Sequence, residues 1–152
     1  MKQHDFLARV LKETPAAIAF CEQVFRVSQI VDDLHDGDKR VDAATRDGLL
    51  WEMLVALPDN PFYAQHFDTL QPMVRTALAD WLDSADLEAT GDAHDASLAF
   101  VLRDQLTGVV VQCAYLIGGY SWMRAVSAEI RRYFHDETLA AYCASLGQEK
   151  KN

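Results

Sequence analysis

Apolar residues recur at three- and four-residue intervals along almost the whole chain, and no stretch alternates apolar and polar positions with the turn spacing of a sheet. That period gathers apolar side chains on one side of a helix, so the pattern predicts an all-α fold. Thr14-Pro15 is a helix start, with threonine as N-cap and proline at the first position, where its missing N–H costs nothing. The helix that follows, 15–34, carries Ile18, Cys21, Phe25 and Val31 and stops near Gly37, a residue suited to the left-handed turn after a helix end. Asp42 is placed to cap a helix over 43–56 whose buried face is Leu49, Leu50, Met53 and Leu54. Leu57-Pro58-Asp59-Asn60-Pro61 interrupts the pattern, and Asn60-Pro61 starts a short helical turn carrying Phe62 and Tyr63. Helices over 68–82, 96–117, 120–134 and 138–146 complete the chain, with a polar connection at 83–95 and Gly118-Gly119 ending the long helix. The expectation is a single helical domain, 1–147, of about six to seven helices around a long central helix at about 96–117, followed by a polar tail at 148–152.

Composition narrows the function classes. A chain of 152 residues can bury roughly 68–70% of the surface its unfolded form exposes, so it needs no disulfide or metal to fold. The 23 acidic residues against 14 basic ones give a formal net charge of −9, which repels phosphate backbones and anionic lipid surfaces and argues against direct nucleic-acid binding. The first residues, Met-Lys-Gln-His-Asp, lack the apolar run of a signal peptide. The apolar stretch 98–120 is interrupted by Arg103, Asp104, Gln105 and Gln112, so no membrane span is predicted. Cys21, Cys113 and Cys143 lie within apolar helical patterns without paired metal spacing and read as buried thiols in a reducing, cytoplasmic compartment.

The candidate chemistry lies at the end of the first long helix. Asp32, Asp33, His35, Asp36 and Asp38 place four carboxylates and an imidazole within residues 32–38. The carbonyl end of a helix already carries partial negative charge, so acids there are unfavourable by about 0.3–1 kcal/mol each unless a cation compensates. Asp32 and Asp36 are one turn apart and Asp33 lies about 100° round, so these oxygens can converge on a hard divalent ion such as Mg²⁺. The alternative is a solvated helix end whose acids pair with Lys39, Arg40 or Lys12. Asp104, in the middle of an apolar helical pattern, needs a partner. Either an arginine on a neighbouring helix or a metal shared with Asp32, Asp33 and Asp36 would supply one.

Three resemblances attach to these residues. Asp32-Asp33-Leu34-His35-Asp36 resembles the DDxxD motif of class I isoprenoid synthases, which implies Mg²⁺ held by the aspartates against a substrate diphosphate. Those enzymes use a second acidic motif on a facing helix, for which Arg103-Asp104-Gln105 is the nearest counterpart here. Leu34-His35-Asp36-Gly37-Asp38-Lys39 resembles the signature of HD-type metal-dependent phosphohydrolases, which implies His35 and Asp36 as ligands joined by His4 and Asp104. Gly37 departs from the apolar residue usual in that signature. The chain as a whole resembles small tailed-phage or prophage proteins that share a DDLxDGDK-type segment, an Asn-Pro-Phe-Tyr and an Ala-Tyr-Leu-Ile-Gly-Gly-Tyr, here residues 32–39, 60–63 and 114–120. That likeness implies an accessory viral protein in the host cytoplasm and no particular activity.

The remaining features read as structural. His4-Asp5, His35-Asp36, His94-Asp95 and His135-Asp136 are adjacent pairs whose side chains diverge on a helix, and His94-Asp95 suits a cap of the long helix. No nucleophile elbow and no phosphate-binding loop is present. The aromatic residues, Trp51, Phe67 and Trp81 among them, fall at core spacing, while Tyr115, Tyr120 and Trp122 beside Gly118-Gly119 fit a helix corner or a homodimer contact equally. Three functions follow. One is a helical bundle holding a divalent cation at Asp32, Asp33, Asp36 and Asp104 and handling a phosphate-bearing small molecule. The others are a non-catalytic module that binds a protein partner and an HD-type metal-dependent phosphohydrolase.

Overall fold

In the computed structural model, which describes residues 1–37 and 39–149, the apolar period resolves into helices, and no strand occurs among the described residues. Helix α1 (Gln3–Val10) was not legible as an element of its own; it buries Phe6, Leu7 and Val10 at helical spacing. Lys12 and Glu13 then take left-handed φ angles of 49° and 52°, a conformation that side chains other than glycine resist. The turn is held from across the molecule. The indole Nε1 of Trp122 donates to the Val10 carbonyl at 2.9 Å, satisfying an orphan group of the helix end, while Lys12 Nζ lies 4.7 Å from the centre of the same ring.

Helix α2 (Pro15–Asp36) has proline in its first turn as expected, although Thr14 makes no side-chain cap. Its first half buries Ala17, Ile18, Phe20, Cys21 and Val24. The rod after it begins as α3 (Ala43–Trp51), widens into a π-helical turn over Glu52–Ala56 and closes with α4 (Leu57–Asp59). Asp42 caps it by accepting from the Thr45 amide at 2.7 Å. Most of the expected buried face is exposed. Only Leu49 is buried, while Leu50, Met53 and Leu54 are exposed, because the π turn breaks the helical phase and the rod packs on the body chiefly beyond Trp51.

Asn60 is a buried hinge between α4 and α5 (Pro61–Gln65). Its Oδ1 accepts from the Tyr63 amide at 3.0 Å and its Nδ2 donates to the Ala16 carbonyl at 2.9 Å, which fixes the short helix on the start of α2 and seats Phe62 and Tyr63 against Phe20. Helix α6 (Phe67–Ala89) runs seven residues past the expected end at 82, so most of the supposed polar connection is helix. Asp92, not His94-Asp95, caps α7 (Ala93–Leu102), accepting from the Asp95 amide at 3.1 Å.

The long helix expected at 96–117 is divided. The carbonyls of Asp104, Gln105 and Leu106 accept from the amides three positions on, a tightened turn that separates α7 from α8 (Thr107–Phe134). The charged pair Arg103 and Asp104 thereby leaves the helix interior and meets Glu137 and His135. Gly119 adopts φ 79° and ψ −174°, so the axis of α8 kinks at the expected glycine break. Gly118 has a different duty: a Cβ there would lie 2.4 Å from Trp122 Cδ1, so only glycine admits the indole.

Helix α9 (Leu139–Glu149) starts where Thr138 Oγ1 accepts from the Ala141 amide and carries on into residues expected as tail; residues 150–152 of that tail lie outside the described residues. Cys143 is exposed on α9, whereas Cys21 and Cys113 face each other in the core at 3.9 Å. The neighbouring Cys113 thiol, together with burial, pushes the Cys21 pKa well up, which keeps it protonated and unreactive.

The main core joins α1, α2, α5 and both halves of α8, with Leu7, Phe20, Val110, Cys113 and Ile130 at its centre. Helices α6, α7 and α9 form a second group, meeting at Ala99, Phe100 and Tyr142. A stretch within Ala93–Gly147 is long and apolar enough to cross a membrane. The core helix of a soluble protein passes the same test, and α8 places Val109, Val110, Cys113 and Ala114 in the main core, so this is compatible with a soluble protein.

Candidate functional site

Between the two helix groups lies an open cleft of about 1490 Å³. One wall is the second half of α2, from Val24 to Asp36; the other is the face of α6 that bears Val74, Leu78, Trp81 and Ala85. Met53 and Leu57 from the rod, and Tyr63 and Phe67 around α5, close one end. Arg103, Asp104 and Tyr142 belong to the other parts of its lining. The body is apolar and the rim is charged, a composition suited to an amphipathic guest.

The acidic end of α2 reaches this rim. The helix ends at Gly37, whose φ of 68° is the left-handed turn the sequence predicted and whose amide donates to the Asp33 carbonyl at 3.1 Å. Asp32 and Asp36 both line the cleft. Asp33 accepts from Gln29 Nε2 at 3.2 Å within its own helix. His35 crosses to α6, where its ring meets Trp81 edge-on with centroids 5.0 Å apart. Lys12, one of the expected partners of these acids, is instead on Trp122. Asp38 lies outside the described residues.

Asp104 lines the same cleft but is committed elsewhere. Its Oδ2 lies 3.4 Å from Arg103 Nε and 3.3 Å from His135 Nδ1, so the arginine it needed is its own sequence neighbour. Arg103 also binds Glu137 at 2.5 Å and lies over the Tyr142 ring at 4.6 Å. Partial burial works against the guanidinium's charge, but Asp104 and Glu137 more than offset it and hold its pKa above the usual value. Tyr142 donates to Glu88 of α6, and burial with that carboxylate beside it drives the phenol's pKa far up. These contacts tie the turn before α8 to α9 and α6 as a structural knot.

Two other histidines have partners of their own. His4 pairs with Glu22 at 2.5 Å, and His135 with Asp104 rather than with its neighbour Asp136. Among the described residues no three His, Cys, Asp or Glu side chains are grouped so as to hold one ion. The structure thus puts Asp32, Asp36 and Asp104 on one cleft and turns Asp33 and Asp104 to partners of their own. Sequence reasoning missed the cleft itself. Its signal was the stripe Phe67, Val74, Leu78, Trp81 at helical spacing, which is indistinguishable in sequence from a core face.

No known protein family, curated protein or solved structure matches this chain.

Proposed function

We propose that this is a non-catalytic protein-interaction module that acts through the cleft between α2 and α6. The observation that carries the reading is the dispersal of the acids: Asp33 is bridged to Gln29 and Asp104 to Arg103 and His135, while Asp32 and Asp36 line the rim of the cleft. Metal chemistry requires converging ligands, whereas binding a polypeptide requires a long apolar surface with polar edges. The size agrees, since 1490 Å³ exceeds the roughly 300–1,000 Å³ of small-molecule sites. An accessory role of the kind implied by the likeness to small tailed-phage proteins, in the host cytoplasm, fits an interaction protein.

A second reading is favoured by Asp32 and Asp36 lining one wall a turn apart. In it a divalent cation such as Mg²⁺ rests between them and brings a phosphate-bearing small molecule into the cleft, without Asp33 or Asp104 as ligands. The phosphohydrolase arrangement has less support, because His4 and Asp104, which it requires beside His35 and Asp36, are held by Glu22 and His135.

Photo-crosslinking separates the two. A photoreactive residue placed at Met53 or Leu78 in the cleft is expected to give discrete protein adducts during expression, and one at the exposed Ala128 on α8 none. Loss of every adduct, together with an unfolding temperature raised by millimolar Mg²⁺ in wild type but not in Asp32→Asn/Asp36→Asn, would replace the interaction reading with the cation reading.

A further inference from the structure

Resting on the interaction reading, we infer that the occupant of the cleft is a basic amphipathic helix of another protein, its apolar stripe seated between α2 and α6 and its lysine or arginine side chains set against the acidic rim. Charge is the first argument. Helices α2 and α6, the two long walls, carry nine of the chain's 23 acidic residues and only two of its 14 basic ones. They therefore hold a formal −7 of the net −9, and the remaining residues together are nearly neutral. Asp32, Asp36 and Glu88 from these helices line the cleft itself, and the carbonyl end of α2 adds partial negative charge beside the two aspartates. Arg26, the arginine of these helices that lines the cleft, is already paired with Glu52. A cleft between two walls of one sign focuses their field and draws in a cationic partner. The same field repels a second copy of this chain and an anionic lipid surface.

Backbone chemistry is the second. The walls are helices whose own amides and carbonyls are paired internally, and no strand edge occurs among the described residues. An extended segment would lay unpaired N–H and C=O groups on Val74 and Leu78, which is costly. A helix brings its backbone already satisfied and offers apolar residues at i, i+3, i+4 and i+7. Met53, Phe67 and Leu78, each about half exposed, are the surfaces such a stripe would cover. From Val24 to Asp36 the α2 wall is about 18 Å long, enough for about three turns of an occupant.

Peptide binding to the full chain tests the inference, read by fluorescence anisotropy of a dye on the peptide. The probes are peptides of about fourteen residues locked as helices by a covalent side-chain bridge, so that ordering does not mask affinity. One has a leucine stripe with lysine flanks, the second the same stripe with glutamate flanks, and the third the lysine flanks with alanine for the stripe. The first is expected to bind at least roughly tenfold more tightly than either of the others and to weaken as salt rises. Leu78→Lys is expected to weaken it by at least roughly thirtyfold. Asp32→Asn/Asp36→Asn is expected to weaken it about fivefold and flatten its salt dependence. Asp5→Asn/Glu13→Gln removes the same charge from exposed positions outside the cleft and should change little, which separates the rim from net charge. Relieving charge at a helix end does not unfold it, and helical circular dichroism checks each variant.

A lysine-flanked peptide that binds no better than the other two, or whose binding ignores Leu78→Lys or Asp32→Asn/Asp36→Asn, overturns the inference. The photoreactive residue at Met53 then distinguishes the two failures. Protein adducts that persist undiminished in Asp32→Asn/Asp36→Asn keep the cleft as an interaction site for an occupant of other chemistry, a second copy included; if there is no protein adduct, the interaction reading falls as well.

Discussion

Helices α2 and α6 are nearly equal in length, 22 and 23 residues, yet they make opposite use of their apolar faces. The first half of α2 buries five residues among α1, α5 and α8, and there its apolar stripe is core. Helix α6 buries only Leu70, Ala77 and Ser84, because it packs chiefly on α7 and presents its other apolar stripe to the cleft. The same helical period thus serves two ends. Where neighbours converge from several sides it makes an interior, and where they stand back it makes a binding surface.

Paired substitutions break or sharpen that contrast. Phe20→Ala removes a fully buried ring from the core and is expected to cost about 3–5 kcal/mol in urea unfolding. A loss below about 1 kcal/mol would mean that α2 is no better packed than α6. Next in size is Gly118→Ala, which drives a methyl group into Trp122 and should cost about 1–3 kcal/mol, because the indole would have to leave the Val10 carbonyl. Adding Trp122→Ala should recover the steric part but not the hydrogen bond, giving a non-additive cycle. The smallest effect belongs to Leu78→Ala on the cleft wall, expected within about 0.5 kcal/mol for the monomer. A larger change at low protein concentration would place Leu78 in an interior and close the cleft.

What was legible in the sequence was local. Asp42 and Asn60 cap as expected because a side-chain acceptor two or three residues ahead of a helical amide is a short-range geometry. Gly37 and Gly119 interrupt helices where the pattern required it, since only glycine takes their positive φ freely. The errors share a cause. Leu50, Met53 and Leu54 look like core in one dimension, and only the π turn and the packing of the rod leave them exposed. The helix expected through Arg103 and Asp104 breaks because His135 and Glu137, more than thirty residues later, give that pair its partners.

The candidate site divides in the same way. The clustering of Asp32, Asp33 and Asp36 at the end of a helix was written in the chain, because helix phase and a terminating glycine suffice to place them. Whether those acids converge with Asp104 depended on the neighbours each would find, and the fold gave Asp33 to Gln29 and Asp104 to Arg103 and His135. By itself the sequence determined helix type, several caps and the acidic end of α2, all of which follow from interactions within a few residues. Only the tertiary structure decided which apolar stripes meet partners and which line an open cleft, since burial depends on distant segments that no local period encodes.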